Sequence, residues 1–457
     1  MDLEKLREAA DSRLSAVQFT ETDREQVRAR LKGRKKSRLR WAIPAAAAAA
    51  AGVLAVSLLL SRPALSVKAE DLMEGVTPFS VEKTRPSDEF LSDAADFSVR
   101  LFQQTLKDSS GNGVVSPMSL YAVLSMLAAG AAGDTRAELD ALLGSRTAPA
   151  ERENMLAWLL DRWPVEENGR VHLASSVWYD ERVTVEPAFL RKNAGYFHAA
   201  AYRAAFSDPR TLKDMNNWVR YHTDGLIRDG LASLPSDAAM VLMNTVLFDM
   251  EWREKYEKKD VYPEEFRREN GEKVTVDFLH STEDSYMENE IFTGFSRDYK
   301  GGRYRFVGLL PREGLSLSEA ADTLTGEGWL QLMQGAGGEV KAAIPCFAYA
   351  CTWELNETLQ ALGVKDAFDP LLADFSPTGR TPEGGLYLDE VGQKTRIELD
   401  EHGTKAAAFT WGMMNSGSAP PEEVPIVRLD RPFLYAIVDS GTGLPLFLGA
   451  VADPSAG

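Results

Sequence analysis

The sequence predicts one large α+β domain, preceded by a single membrane-spanning helix. Two observations predict the domain. Strand-like and helix-like patterns are mixed from about residue 88 onward without the alternation of a βαβ fold, and no internal repeat of roughly 20–50 residues occurs. A third observation, a long uncharged stretch near the N-terminus, predicts the membrane helix.

The uncharged stretch covers residues 42–60 and includes seven consecutive alanines at 45–51. As a helix it would span roughly 29 Å, about one hydrocarbon core. Residues 24–40 carry nine Lys or Arg and a single acid, a bias that holds an N-terminus in the cytoplasm. We therefore expect a single-pass anchor in the cell membrane, with the following domain outside the cytoplasm. The alternative is a signal sequence that is cleaved near Ala69, which would release a secreted domain.

Four parts of the chain follow from these boundaries. They are a basic cytoplasmic segment at 1–41, the transmembrane helix at 42–60, a connector with three prolines at 61–87, and the main domain at 88–457. Residues 1–41 carry a net charge of +5, whereas the rest has 39 Lys or Arg and 61 Asp or Glu, a net charge of −22. A body this acidic repels nucleic acid, so we expect no nucleic-acid partner.

Hydrophobic periodicity predicts where the elements of the domain lie. Apolar residues recur at helical spacing in 90–106, 117–131, 212–221 and 353–362. Runs typical of strands occupy 114–115, 171–179, 239–248, 340–350, 385–391, 395–400, 433–438 and 444–451. The long segment between the strand ending at 400 and residue 424 has no regular pattern, which predicts an exposed loop.

Motifs for catalysis and for metal binding are missing from this sequence. GxSxG, HExxH and a phosphate loop do not occur, and the five histidines are not paired at ligand spacing. The turn Asp439-Ser440-Gly441 resembles that of aspartic proteases, but their chemistry needs two carboxylates and one copy is present. Cys346 and Cys351 lie on opposite faces of a predicted strand, too far apart for a disulfide. We expect no enzymatic activity, no metal and no cofactor.

Five blocks of sequence, in order, carry a family resemblance. They are Asn112–Leu120 with Ala128–Thr135, Asn217–Val219 with Thr223–Gly225, Met243–Phe248 with Trp252, Glu401–Ala408, and Asp430–Leu434 with Leu446–Gly449. Together they resemble the serpin family of serine protease inhibitors, in a bacterial-type form with an N-terminal membrane segment. The resemblance extends from about residue 68 to 454.

The resemblance implies the serpin fold, with three β-sheets, surrounding helices and an exposed reactive-centre loop. It implies a monomeric, irreversible inhibitor whose partner is a target serine protease, or alternatively a cysteine protease. The protease cleaves the loop, and insertion of the freed loop into the main sheet traps the acyl-enzyme. The hinge of that loop corresponds to Glu401, Gly403, Thr404, Ala406, Ala407 and Ala408. The region where the sheet opens corresponds to Ser116, Ser119, Asn244, Trp252 and Gln393, of which Gln393 replaces a histidine common in the family.

Small residues at alternate hinge positions agree with an insertable loop. Side chains alternate faces along a strand, so Thr404, Ala406, Ala408, Thr410 and Gly412 share one face. The bulky or charged Lys405, Phe409 and Trp411 all fall on the opposite face. A strand that enters between two paired strands tolerates only small groups on its buried face. Non-inhibitory serpins that act as binding modules commonly lack this pattern, and such a module is the alternative function.

The position of the scissile bond follows from the resemblance as well. Counting fourteen residues beyond Gly403 places it at Gly417–Ser418, with Met414–Asn415 as the rival bond. Neither bond has an Arg or Lys that would pair with a carboxylate in a trypsin-like pocket. Apolar or shallow pockets lose little with small or flexible side chains, so we expect an elastase-like or subtilisin-like target.

Overall fold

A computed structural model describes residues 67–107, 111–165, 167, 169–227, 230–235, 238–404 and 424–456. Within these ranges the helices are α1 (Asp88–Lys107), α2 (Pro117–Ala129), α3 (Gly133–Leu143), α4 (Pro149–Arg162), α5 (Pro187–Tyr196), α6 (Pro209–His222), α7 (Leu317–Thr323), α8 (Gly326–Gln334) and α9 (Asn356–Ala361). Four of them begin with proline, whose fixed φ suits the first helical position and whose missing N–H costs nothing there.

The strands before residue 300 are β1 (Glu70–Asp71), β2 (Gly113–Val115), β3 (Gly169–Asp180), β4 (Thr184–Val185), β5 (Ala200–Ala204), β6 (Met240–Glu251), β7 (Val261–Arg267), β8 (Lys273–Glu283), β9 (Tyr286–Glu288) and β10 (Phe292–Asp298). Those after it are β11 (Tyr304–Pro311), β12 (Val340–Pro345), β13 (Phe347–Glu354), β14 (Gly379–Arg380), β15 (Gly392–Asp400), β16 (Gly403–Thr404), β17 (Ile426–Arg428), β18 (Phe433–Asp439) and β19 (Pro445–Val451).

These strands form one large sheet and three smaller ones in the described part of the chain. The large sheet has seven strands in the order β1-β5-β3-β6-β16-β15-β13. A six-stranded sheet has the order β2-β19-β18-β11-β10-β9, a four-stranded sheet the order β17-β12-β8-β7, and β14 pairs with β4. The predicted α+β class is confirmed, and the pair β14-β4 adds a small sheet to the three that were expected.

The main core lies between the seven-stranded and six-stranded sheets, with α2 inside it. Residues 117–128 of this helix are all buried, which explains why it is apolar all round rather than amphipathic. Its first turn links both sheets, because Ser116 donates to the carbonyl of Leu446 in β19 and Ser119 bonds Asn244 in β6. The helix therefore holds residues of the large sheet at fixed positions.

Three of the predicted elements are wrong. The predicted strand at 340–350 is two strands in different sheets, β12 in the four-stranded sheet and β13 in the seven-stranded sheet, because the chain breaks its ladder at Cys346 between them; Cys346 and Cys351 therefore do not share one strand. Residues 385–391 form no strand, because this extended segment has no ladder partner; its alternating apolar residues Leu386 and Leu388 are buried by packing alone. The predicted helix at 353–362 starts too early, since Trp353 and Glu354 end strand β13 and the helix covers only Asn356–Ala361. The predicted turn at Asp439 is confirmed between β18 and β19.

The predicted connector at 61–87 is described from residue 67 onward. Its strand β1 pairs with β5 at the edge of the large sheet, and Phe79 donates its backbone N–H to the carbonyl of Arg191. The predicted membrane segment at 42–60 lies outside the described residues. Within the described ranges, no helix has both the length and the apolar character needed to cross a membrane.

Candidate functional site

The hinge enters the large sheet between β6 and β15. Strand β15 ends at Asp400, a two-residue turn follows, and β16 then lies antiparallel to both neighbours. Gly403 is opposite Glu251 on one side and Asp400 on the other, and Thr404 is opposite Met250 and Leu399. Gly403 and Thr404, the first two residues of the loop, thus already form a short strand of the sheet.

The turn that feeds the hinge is held by side chains and by backbone. The Asp400 carboxylate accepts hydrogen bonds from the backbone N–H groups of His402, at 2.8 Å, and Gly403, at 3.3 Å. Trp252 donates its indole N–H to the carbonyl of Asp400, at 2.9 Å, and its backbone N–H to the carbonyl of His402, at 3.1 Å. Glu401 lies at the surface, where its carboxylate is 3.4 Å from His402 Nε2. Trp252 therefore positions the loop entry directly.

Gly403 occupies a position that only glycine fits. Its φ is +152°, a backbone conformation that other residues rarely adopt. A Cβ built there would lie 2.2 Å from the carbonyl oxygen of Met250 and 2.8 Å from Cα of Glu251. Both contacts are with backbone, which cannot move aside without breaking the sheet.

Thr404 is buried on the inner face of the sheet. It is 2% exposed, and its hydroxyl lies 2.7 Å from the hydroxyl of Tyr299. Tyr299 stacks on Trp252, with ring centroids 4.6 Å apart and planes 9° from parallel. Burial raises the pKa of Tyr299 well above its usual value, so the phenol stays protonated and can donate. The stacked rings of Trp252 and Tyr299 therefore pack beneath Thr404 and fix its position.

Further along the same seam lies a buried polar cluster. Gln393 on β15 accepts from the backbone N–H of Ser116, at 2.8 Å, and donates to its carbonyl, at 3.0 Å. Across the seam, Asn244 on β6 bonds the hydroxyl of Ser119 and donates to the hydroxyl of Ser175, at 3.0 Å. The oxygen and the NH₂ group of the Gln393 amide thus both have hydrogen-bond partners in the backbone of Ser116.

A cavity of about 160 Å³ separates β6 from β15 along this seam. Asn244 and Leu242 line it from β6, Gln393 and Gly392 from β15, and residues 230–235 cover it. Because β16 contains only two residues, the seam beyond Thr404 holds no strand of the described chain. The sheet therefore has a place for more of the loop.

The remaining predicted site residues belong to residues 405–423, outside the described part. They are Ala406, Ala407, Ala408, Met414, Asn415, Gly417 and Ser418.

Three residues of the site were not predicted. Tyr299 bonds Thr404, Asp400 closes the turn, and Ser175 completes the cluster at Asn244. Tyr299 and Ser175 lie far from the loop in sequence and have no motif around them. Asp400 does carry a local signal, since Asp commonly bonds backbone N–H groups two residues ahead in a turn.

Comparison with known proteins adds a family to this geometry. The sequence profile described as "Serpin (serine protease inhibitor)" matches residues 92–454. The chain belongs to the serpin family. It is 30% identical to serpin-Z2A of Oryza sativa subsp. japonica over 401 residues, which cover 76% of this chain and 92% of that protein. It is 28% identical to plasminogen activator inhibitor 1 of Sus scrofa over 381 residues, 79% of this chain and 92% of that protein.

Solved serpin structures also match the fold. The native-state crystal structure of the thermophilic serpin tengpin is 37% identical, with a TM-score of 0.80, covering 85% of this chain and 100% of that chain. The latent state of tengpin gives a TM-score of 0.71 at 35% identity, covering 81% and 99%. The described part of this serpin is therefore more similar to the native than to the latent arrangement. The serpins that match this chain support protease inhibition as its general activity. Serpins are inhibitors of proteases rather than catalytic enzymes.

Proposed function

We propose that this serpin is an irreversible protease inhibitor that acts as a suicide substrate. A target protease attacks the exposed loop near Gly417–Ser418, its nucleophile forms an ester with the carbonyl of Gly417, and the amine of Ser418 leaves. Insertion of the freed hinge into the large sheet then carries the protease away before water cleaves the ester. The observation that carries this proposal is the seating of Gly403 and Thr404 between β6 and β15 above an open seam.

The register of β16 supports insertion of the residues that follow. Continued by two residues at a time, it would bring Ala406 opposite Phe248, Ala408 opposite Val246, and Thr410 opposite Asn244. On the other side, Thr410 would face Gln393. Small side chains would thus enter where the core is packed, and a hydroxyl would enter where the polar cluster lies. This match favours an inhibitor over a non-inhibitory binding module.

The target that we propose is an elastase-like or subtilisin-like serine protease. The residues around either candidate bond, Gly417–Ser418 or Met414–Asn415, include no Arg or Lys. A trypsin-like pocket would keep an unpaired buried carboxylate with these side chains, which is unfavourable by several kcal/mol, about a hundredfold or more in rate.

Incubation of the full-length protein with pancreatic elastase, subtilisin and trypsin tests the proposal. We expect SDS-stable adducts with elastase or subtilisin and release of a C-terminal peptide that begins at Ser418, or at Asn415 for the rival bond. Cleavage in the loop without a stable adduct for any of the three proteases would refute the inhibitor and favour the binding module. An adduct with trypsin alone would refute the target class only.

We further propose that residues 42–60 anchor the serpin in the cell membrane with its N-terminus in the cytoplasm. The nine basic residues at 24–40 support this orientation. Protease added to intact cells should then remove the serpin domain and spare residues 1–41. A free product in the medium that begins near Glu70 would instead indicate cleavage of a signal sequence and secretion.

A further inference from the structure

A second, larger cavity opens beside β3 and extends to Ser119, Ser175 and Asn244 of the polar cluster. On this side of β3, Val171 pairs with Val165 through two backbone hydrogen bonds of 3.0 and 2.9 Å, and Ser176 pairs with Ala200 of β5. Between these points, residues 172–175 have no neighbouring strand on that side in the described ranges. The gap is an opening of about 600 Å³ in the side of the sheet.

The walls of this cavity are mostly apolar, and several elements besides β3 contribute to them. Trp218 lies on α6, Tyr202 on β5, Leu160 on α4, and Phe197 just after α5. A volume of this size falls within the roughly 300–1,000 Å³ that is typical of small-molecule sites, and such sites combine apolar walls with a few polar groups. The cavity therefore has the size and the lining for an organic ligand with an aromatic body.

The polar groups that line the cavity include two stacked imidazoles. The rings of His172 on β3 and His222 on α6 are 5.3 Å apart and 6° from parallel. His222 also contacts Trp218, with ring centroids 4.4 Å apart. Its Nδ1 is buried and has no hydrogen-bond partner in the described part of the chain. A buried ring nitrogen of this kind is costly unless a ligand or water satisfies it.

The acidic side chains around the imidazoles are already paired with basic groups, so an anion can be accommodated beside the imidazoles. The acids that face the cavity and its surroundings are paired: Asp161 bonds Lys83 at 2.6 Å and His198 at 3.0 Å, while Asp224 and Asp249 both contact Arg170. Burial, and next the neighbouring His172, lower the pKa of His222 to about 4. Without a bound anion the imidazole of His222 is thus neutral, and an anion beside it would stabilise the protonated form.

We propose that this cavity binds a small organic anion, a carboxylate or sulfonate on an aromatic body. The anionic head lies at His222 and the ring packs against Trp218 and Phe197. A proton is taken up by His222 as the anion binds, so the affinity rises as the pH falls.

Isothermal titration calorimetry of the full-length protein with naphthalene-1-sulfonate tests the site, and neutral naphthalene-1-sulfonamide is the matched ligand. We expect saturable binding at one site, tighter at pH 5.5 than at pH 7.5 for the sulfonate only. His222→Phe keeps the ring stack but removes the nitrogens, so sulfonate affinity should fall about tenfold or more, the effect of one hydrogen bond to a charged group. Sulfonamide affinity should not change.

His280→Phe is the control variant, because His280 also stacks on an aromatic ring, that of Tyr262 at 4.1 Å, but lies outside the cavity. It should leave both affinities unchanged. If the melting temperature shows that His222→Phe does not fold, His222→Gln replaces it with the same expected loss. The proposal is wrong if the sulfonate shows no saturable binding, if the sulfonamide binds equally well, or if a folded His222 variant retains sulfonate affinity.

Discussion

Replacement of Gly403 by alanine should turn the inhibitor into a substrate. The change adds a single methyl group at the point where the hinge enters the sheet. It leaves the small residues further along the loop as they are, so it tests the entry step alone. Loop cleavage by the protease should continue, because the scissile region is more than ten residues away.

The magnitude follows from the geometry at this position. Holding a non-glycine residue in a rare backbone conformation costs about 1–3 kcal/mol. The added Cβ would also lie 2.2 Å from the carbonyl oxygen of Met250, well inside contact distance. The hydrogen bond of Thr404 to Tyr299 is present in both proteins and does not change this difference. The backbone strain alone should lower the occupancy of the seated hinge by a factor of about 5 to 150, and the overlap of the Cβ with the backbone should lower it further.

The stoichiometry of inhibition measures this effect. Titration of elastase or subtilisin with the variant should consume many molecules of serpin per protease trapped, and cleaved serpin should accumulate. Gly337→Ala is the matched control, because Gly337 does not line the seam, has no positive φ, and its Cβ would have no atom within 4 Å. The control should inhibit as the unchanged protein does. An unchanged stoichiometry for Gly403→Ala, with the protein folded, would refute the role of this entry point.

Three further predictions concern the loop and the fold. Ala408→Arg should yield cleaved serpin instead of adduct, since a buried unpaired guanidinium costs several kcal/mol; persistence of adducts at normal stoichiometry on denaturing gels would contradict this. Limited proteolysis within residues 413–418 should raise the melting temperature measured by calorimetry, because insertion relaxes a metastable fold, and no rise would favour the non-inhibitory alternative. The pKa of His222 is lowered from 6.5 to about 4, so the unfolded chain binds more protons in this window. The free energy of unfolding should therefore fall by up to about 3 kcal/mol as the pH drops from 6.5 to 4. Chemical denaturation at several pH values measures this dependence, which should be weaker in His222→Phe.

The elements with strong periodicity could be predicted from the sequence, and those set by tertiary pairing could not. The strands around residues 171–179 and 239–248 have long β-rich runs, and both are present, slightly longer, as β3 and β6. The segment at 385–391 has the same alternation, yet no neighbouring strand pairs with it. Alternation of apolar residues predicts which side chains are buried, not whether the backbone pairs with another strand. The alternation of faces along a strand was enough to predict which hinge side chains point inward. The role of Tyr299 could not be predicted in this way, because it depends on a contact with Thr404, 105 positions away in the sequence.

The division of the polar cluster at the seam explains how the sheet could part at low cost. Gln393 of β15 is bonded to Ser116, and Asn244 of β6 is bonded to Ser119 and Ser175; Ser116 and Ser119 both lie at the start of α2. Among the described residues, no side-chain hydrogen bond joins Asn244 to Gln393 across the seam. If α2 moves with β15 as the strands separate, Gln393 keeps both of its bonds and Asn244 loses Ser119 but keeps Ser175. This second partner reduces the cost of an orphaned buried polar group, which is about 1–3 kcal/mol. Packing around the cavity also resists opening, and small inward hinge residues restore that packing as they enter.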